Sequence, residues 1–458
     1  MKDSQAVTWL KNPASVFTGS LLDSSDTAAN GLLIKGDKII ELVAANSKPS
    51  QAYDVELDMS DCVILPGLIN THHHFYQTLT RCVPAALNKP LFPWLKTLYA
   101  VWQNLDEPML ASATKLASLE LMLSGATTVG DHHYVFPKGL EQAVDVQAEA
   151  LSELGCRAVL TRGSMSLGES DGGLPPDSVI QTEDAILQDS ERVIKQHHQR
   201  HDGAMLQIAL APCSPFSVSK DLMKNTAIMA EQHDVLMHTH LAETEDENTF
   251  CIEQYGMRPL DYLEECGWLN PRAWLAHGIF FNKDEIARLG KANVGIAHCP
   301  SSNMLLASGI CPTLDLEQSG CRIGLAVDGS ASNDCSNMIQ EARQSLLQQR
   351  LRYGAEKITA ETVLNWATAG SASVFRRSDI GTLAVGKQAD VSVFKLDELR
   401  FSGVGDPLAA LVLCGAHKVD KLMVAGRWLI EDAEHSLDIQ AQLHSQHMQL
   451  AKQLQSMV

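Results

Sequence analysis

Pro66-Gly67-Leu68-Ile69-Asn70-Thr71-His72-His73-His74 is the stretch on which the fold turns. An apolar run, Val63-Ile64-Leu65, leads into it, and Gln77 and Arg81 follow. Residues two apart in a β-strand point to the same side. His72 and His74 then present two imidazoles to one point at a strand end, and His73 faces the other way as a spacer. Two imidazoles so placed can hold a metal. On this stretch alone, three histidines on a solvated loop is an equal reading.

Residues 63–328 contain eight short apolar or β-branched runs: 63–69, 126–131, 157–161, 206–211, 235–240, 273–277, 294–298 and 323–328. The intervening stretches 107–122, 140–154 and 184–197 carry apolar residues at helical spacing. Strands alternating with helices imply a parallel sheet. Eight repeats predict an α/β fold with a closed (β/α)8 TIM barrel, its chemistry at the C-terminal strand ends. A doubly wound open sheet is the alternative.

Residues 1–65 hold short alternating runs at 14–17, 31–34 and 38–43, with Gly36-Asp37 as a tight hairpin turn. Similar runs return at 389–394 and 419–426. Neither end has strands enough for its own sheet packing. The two are therefore expected to join as one discontinuous β-sandwich domain (1–65 and 383–458) beside a catalytic barrel (66–382). Residues 436–458 end in an amphipathic helix carrying Leu437, Leu443, Leu450 and Leu454. Three inserts interrupt the barrel pattern. Residues 83–103 are aromatic and long enough to cover a mouth, 163–177 are rich in Gly and Pro, and 330–338 are small and polar.

The 458 residues are 45% hydrophobic and 20% charged, ordinary for a globular protein. A net charge of −19 with no local basic block argues against nucleic acid or an anionic membrane as partner. The expected partner is a small molecule, with self-association left open. No apolar signal core follows the polar Met1-Lys2-Asp3-Ser4-Gln5, and no run reaches membrane-spanning length. Eleven cysteines, an odd number without a CxxC pair, read as buried free thiols in a reducing, cytoplasmic setting.

Polar residues line up at the ends of four runs. His72 and His74 follow the first, His238-Thr239-His240-Leu241-Ala242-Glu243 ends the fifth, Ala276-His277-Gly278 the sixth, and Val327-Asp328-Gly329 the eighth. Seventeen histidines make one coincidence cheap, but matching placement at four strand ends outweighs it. Imidazoles with a carboxylate suit zinc, a water completing the shell. Both His238 and His240 are candidates on spacing. His132, His133 and His298 also fall near strand ends, as candidates for ligand support or the pocket wall.

The combination PGLINTHHH, HLAE, AHG and VDGSASN resembles the amidohydrolase superfamily, in its cytosine/guanine/chlorotriazine deaminase-like branch. The resemblance spans nearly the whole chain, including the return at Gly386-Lys387-Gln388-Ala389-Asp390. It implies a divalent metal, zinc with iron the alternative, on His72, His74, His240 and Asp328, and leaves His238 as a satisfied strand residue. Dinuclear members carry a bridging lysine on the fourth strand. Residues 206–212 contain none, so one ion is implied. The expected chemistry uses a water activated by the ion. Glu243 shuttles its proton to a substrate ring nitrogen, His277 hydrogen-bonds the attacking oxygen, and Asp328 relays a proton to the leaving amine.

Residues 72–81 (HHHFYQTLTR) and the aromatic insert look most like branch members that deaminate 8-oxoguanine. That resemblance implies attack at the amino-bearing purine carbon, giving urate and ammonia. A flat polar purine needs an aromatic face and groups that both donate and accept. Trp94 or Trp102 can supply the face and Gln77 the edge, with Asn303 a further pocket candidate; packing of the insert on the barrel is the plain alternative. Arg81 reads as a structural ion pair. Rival activities are guanine, isocytosine or adenosine-type deamination and s-triazine dechlorination. A non-catalytic scaffold barrel predicts missing metal residues, and all are present. Gly168-Glu169-Ser170-Asp171-Gly172 matches G-x-S-x-G but lacks the strand-turn-helix setting of a nucleophile elbow.

Overall fold

In a computed structural model the chain is described over residues 6–24 and 26–457, so Met1-Lys2-Asp3-Ser4-Gln5 lies outside the described residues. Eight parallel strands stand side by side in sequence order. They are Leu68–Asn70, Ala126–His133, Arg157–Ser164, Leu206–Pro212, Met237–Leu241, Ala273–His277, Gly295–His298 and Arg322–Leu325. The first and last are joined, since Thr71 N–H donates to the Leu325 carbonyl at 3.1 Å and Val327 N–H to Asn70 Oδ1 at 3.0 Å. An open doubly wound sheet has no such bond. The barrel is closed, and helices such as Glu107–Leu123, Ala143–Leu154 and Glu183–His197 surround it.

The outer helices begin where the sequence offers a side-chain cap. Asp106, Thr182, Ser219, Asn282 and Asn337 each accept a backbone N–H of the following turn. Such caps satisfy amides that have no partner inside the helix.

The run at 63–69, expected as one strand, is two. Cys62–Pro66 pairs antiparallel with Val391–Lys395 outside the barrel, and Leu68–Asn70 opens the barrel. Gly67 is the crossing point. A Cβ there would lie 2.0 Å from Thr127 Oγ1, so only glycine lets the chain pass that close. An apolar run carries no mark of which sheet it joins, which is why the division is invisible in sequence.

The chain ends form two further sheets. One holds four N-terminal strands in the order Lys38–Leu42, Gly31–Lys35, Val7–Lys11, Val55–Asp58. The other mixes both ends, placing Ser15–Val16 and Cys62–Pro66 beside Val391–Lys395, Lys421–Val424, Arg427–Glu431 and Glu434–His435. Leu10, Leu32 and Ile34 pack with Ile64, Val391 and Val393 in a core between the two sheets. Arg157, at the start of the third barrel strand, forms a buried ion pair with Asp390, its Nε 2.6 Å from Oδ2. The C-terminal helix Gln440–Gln455 packs on the barrel, against Glu107–Leu123 and the turn Phe75–Thr80. There Thr78 Oγ1 meets His447 Nε2 at 3.0 Å, and Gln455 Nε2 donates to the Leu79 carbonyl at 2.7 Å.

Candidate active site

His72, His73 and His74 lie just beyond the first barrel strand, yet strand-like bonding continues through them. The His72 carbonyl accepts from Asp328 N–H at 3.1 Å on one side, and the His73 carbonyl from His132 N–H at 2.7 Å on the other. His72 and His74 therefore keep the alternation inferred from sequence. Both point into the barrel mouth, while His73 Nε2 turns to Ser336 Oγ at 2.9 Å.

His72 Nε2 lies 3.2 Å and His74 Nε2 3.3 Å from Asp328 Oδ1, and His240 Nε2 lies 3.2 Å from His74 Nε2. All four residues are buried. The structure thus brings together the ligand set expected for one metal. Asp328 and His277 close around the same point at φ +64° and +72°, and Ala242, between His240 and Glu243, has φ +55°. Non-glycine residues seldom adopt this region, and such strain collects at functional sites.

The protonation of each imidazole follows from what its other nitrogen touches. His74 Nδ1 donates to the His132 carbonyl at 2.7 Å and His240 Nδ1 to the Cys213 carbonyl at 2.7 Å. Both Nε2 atoms therefore carry lone pairs when the rings are neutral. His72 needs one more link. His238 Nδ1 donates to the Trp274 carbonyl at 2.9 Å, which leaves His238 Nε2 as the acceptor of His72 Nδ1–H at 2.7 Å. His72 Nε2 has no hydrogen-bond partner although it is buried. Burial lowers the pKa of His72 well below its ordinary value and that of His240 to about 3. Three imidazoles whose Nδ1 atoms are engaged elsewhere and whose Nε2 atoms converge, with one carboxylate, are a donor set that fits a divalent cation. His132 also brings a ring nitrogen to the cluster: its Nε2–H is donated to the Ala211 carbonyl at 2.9 Å and its Nδ1 is buried without a partner.

Across from these groups, Glu243 Oε2 lies 3.4 Å and Asp328 Oδ2 3.9 Å from His277 Nε2. Burial raises the pKa of Glu243 above the ordinary carboxylate range. Burial opposes a charge on His277, but the Glu243 and Asp328 carboxylates outweigh it and raise its pKa. Ser302 Oγ donates to Asp328 Oδ2 at 2.6 Å.

These groups open into a cavity at the barrel mouth. Its roof is the helix Leu91–Trp102, which turns Leu91, Trp94, Leu95 and Tyr99 inward. Gln77 lines the wall, its Oε1 accepting from Ala331 N–H at 3.2 Å. Two residues expected at the substrate stand outside the cavity lining. Trp102 packs edge-on behind Tyr76 and Trp94 and donates Nε1–H to Thr80 Oγ1 at 3.1 Å, so it supports the roof without lining the cavity. Asn303 also stays outside the lining; its Oδ1 accepts His277 Nδ1–H at 2.9 Å. In both cases a polar or aromatic side chain found a protein partner that the local sequence does not reveal.

Other candidates take supporting places. His238, expected as a satisfied strand residue, is bonded to the His72 imidazole and the Trp274 carbonyl. His133 packs edge-on against Tyr76 and Phe136, and His298 Nε2 faces Gln349. Arg81 pairs with Glu120 through NH1 at 2.9 Å. Ser170 sits on an exposed turn and donates to Asp177. All eleven cysteines are free, and among the described residues no helix is long and apolar enough to cross a membrane.

A closed barrel with this ligand set defines a class, and the comparisons agree: residues 63–429 match the amidohydrolase family, to which the chain belongs. It is 61% identical, over 95% of this chain and 96% of the relative, to an 8-oxoguanine deaminase from Pseudomonas aeruginosa. It is 34% identical to an isoxanthopterin deaminase of an unknown prokaryotic organism, over 95% of both chains. Among solved structures it resembles the atrazine chlorohydrolase of Arthrobacter aurescens TC1 complexed with zinc. The TM-score is 0.90 at 29% identity, covering 97% of this chain and all of the other.

Proposed function

We propose that this chain is a metal-dependent aminohydrolase converting 8-oxoguanine and water to urate and ammonia. The observation that carries the reading is the convergence of three imidazole Nε2 atoms and Asp328 opposite the Glu243–His277 pair. The substrate follows the 61% identical relative. His72, His74, His240 and Asp328 would hold one divalent ion, zinc by its donor set, with iron the alternative. When bound, the ion supplies Lewis acidity that brings the pKa of the attacking water towards ~7.

The chain's own groups then move the protons. Glu243 takes one from the water and delivers it to a purine ring nitrogen. The water oxygen bonds to C2, and the C2–N bond to the exocyclic amine breaks as Asp328 relays the second proton to the departing ammonia. His277 donates a hydrogen bond to the attacking oxygen, its ring set by Asn303 and its charge favoured by the two carboxylates. Trp94 covers the purine face and Gln77 meets its edge. The setting is cytoplasmic, and the net charge of −19 suits a small neutral substrate without a nucleic-acid or membrane partner.

Ammonia release from 8-oxoguanine, guanine, isocytosine, adenosine and a chlorotriazine, measured in parallel, tests the assignment. The expected outcome is the highest kcat/KM for 8-oxoguanine. A higher kcat/KM for guanine overturns the choice of substrate.

A further inference from the structure

Glu247 is the third residue of the helix Glu245–Tyr255, whose N-cap, Thr244, makes no side-chain capping bond. A glutamate there commonly folds back onto the N-cap amide. Glu247 instead reaches past Thr244. Its Oε1 accepts from Ala242 N–H at 3.0 Å and its Oε2 from Glu243 N–H at 3.1 Å. Unlike its exposed neighbours Glu245 and Asp246, it is completely buried. A carboxylate removed from water at that position needs both donors to be tolerated. The amides it takes belong to the turn at the end of the fifth barrel strand, where Ala242 has φ +55°. The Ala242 carbonyl accepts Ile279 N–H and Phe280 N–H, each at 2.9 Å, which ties the turn to the chain beyond the sixth strand.

We propose that Glu247 is the positioning residue of Glu243. By holding the amides of Ala242 and Glu243 it maintains the left-handed turn that aims the Glu243 carboxylate at His277. The inference rests on the catalytic role proposed for Glu243, and it assigns Glu247 no contact with substrate or metal. A side-chain amide has one acceptor atom where the carboxylate uses two, so Glu247→Gln keeps the shape and loses half of the clamp.

The test compares wild type, Glu247→Gln, Glu243→Gln and the double variant. Glu247→Gln is expected to lower kcat about 10–100-fold, as a misplaced catalytic group does. KM should stay within about threefold, since ground-state binding is untouched, and the metal-to-chain ratio should be unchanged. Amide hydrogen exchange should rise at residues 242 and 243 without a general rise elsewhere. On the Glu243→Gln background, adding Glu247→Gln should cost nothing further, because residues acting as one unit are not additive. A loss that multiplies with that of Glu243→Gln, or unchanged exchange at 242 and 243, overturns the proposal. If Glu247→Gln does not fold, Glu247→Asp, which keeps the charge and shortens the reach, must give the same pattern. If wild type releases ammonia from no heterocycle, the activity reading fails while the exchange comparison still decides the clamp.

Discussion

His238 Nε2 stands 2.7 Å from His72 Nδ1 and accepts its proton, and His238 is itself held by the Trp274 carbonyl. A strand residue outside the cavity lining thus sets the tautomer of the His72 imidazole. His238 also stacks on the Trp274 ring at 4.3 Å. His238→Phe should keep the stacking and leave His72 Nδ1–H without an acceptor. Metal affinity is expected to fall about 10–100-fold, the usual effect of losing such a partner. Competition with a graded chelator measures this, and an unchanged affinity would show that His72 needs no such orientation.

Activity should fall on the acid side as Glu243 takes up a proton, because only its anion can accept one from water. Burial is the main cause of its raised pKa; the Asp328 charge adds to it and His277 opposes it. The acid limb of kcat/KM is therefore expected above the ordinary carboxylate range. Glu243→Gln should erase that limb and lower turnover about 10²–10⁴-fold while the metal content stays at the wild-type level. Near-wild-type deamination in this variant would remove Glu243 from the mechanism.

Trp94 and Trp102 occupy the same helix but should fail differently. Trp94 lines the cavity, so Trp94→Ala is expected to raise KM several-fold, consistent with an aromatic contact of about 0.5–1.5 kcal/mol. Trp102 is fully buried behind it, and Trp102→Ala should cost about 3–5 kcal/mol of stability. Steady-state kinetics and denaturant unfolding separate the two. A larger KM effect from Trp102→Ala would reverse the assignment.

Much of the architecture is readable in one dimension because its signals are local. Strand runs and helical periods each declare themselves within a few residues. His72 and His74 are local in the same sense, being two residues apart on one extended segment. The aromatic insert was legible as a cover for the mouth, but not which of its rings would face inward. Leu91, Trp94, Leu95 and Tyr99 share one side of a helix whose rotation is set by packing on the barrel.

Local pattern is enough to place the alternating strands and helices, the strand ends that carry His72, His74, His240, His277 and Asp328, and Glu243 three residues beyond His240. What those groups do to one another is set by contacts between distant segments. His238 is 166 residues from the imidazole it orients, Asn303 is 26 from the one it holds, and Gly67 is made necessary by Thr127. Periodicity reports which face of an element is buried. The tautomer of an imidazole, the aim of a carboxylate and the sheet an apolar run joins depend on partners that closure of the barrel brings within hydrogen-bonding or van der Waals distance.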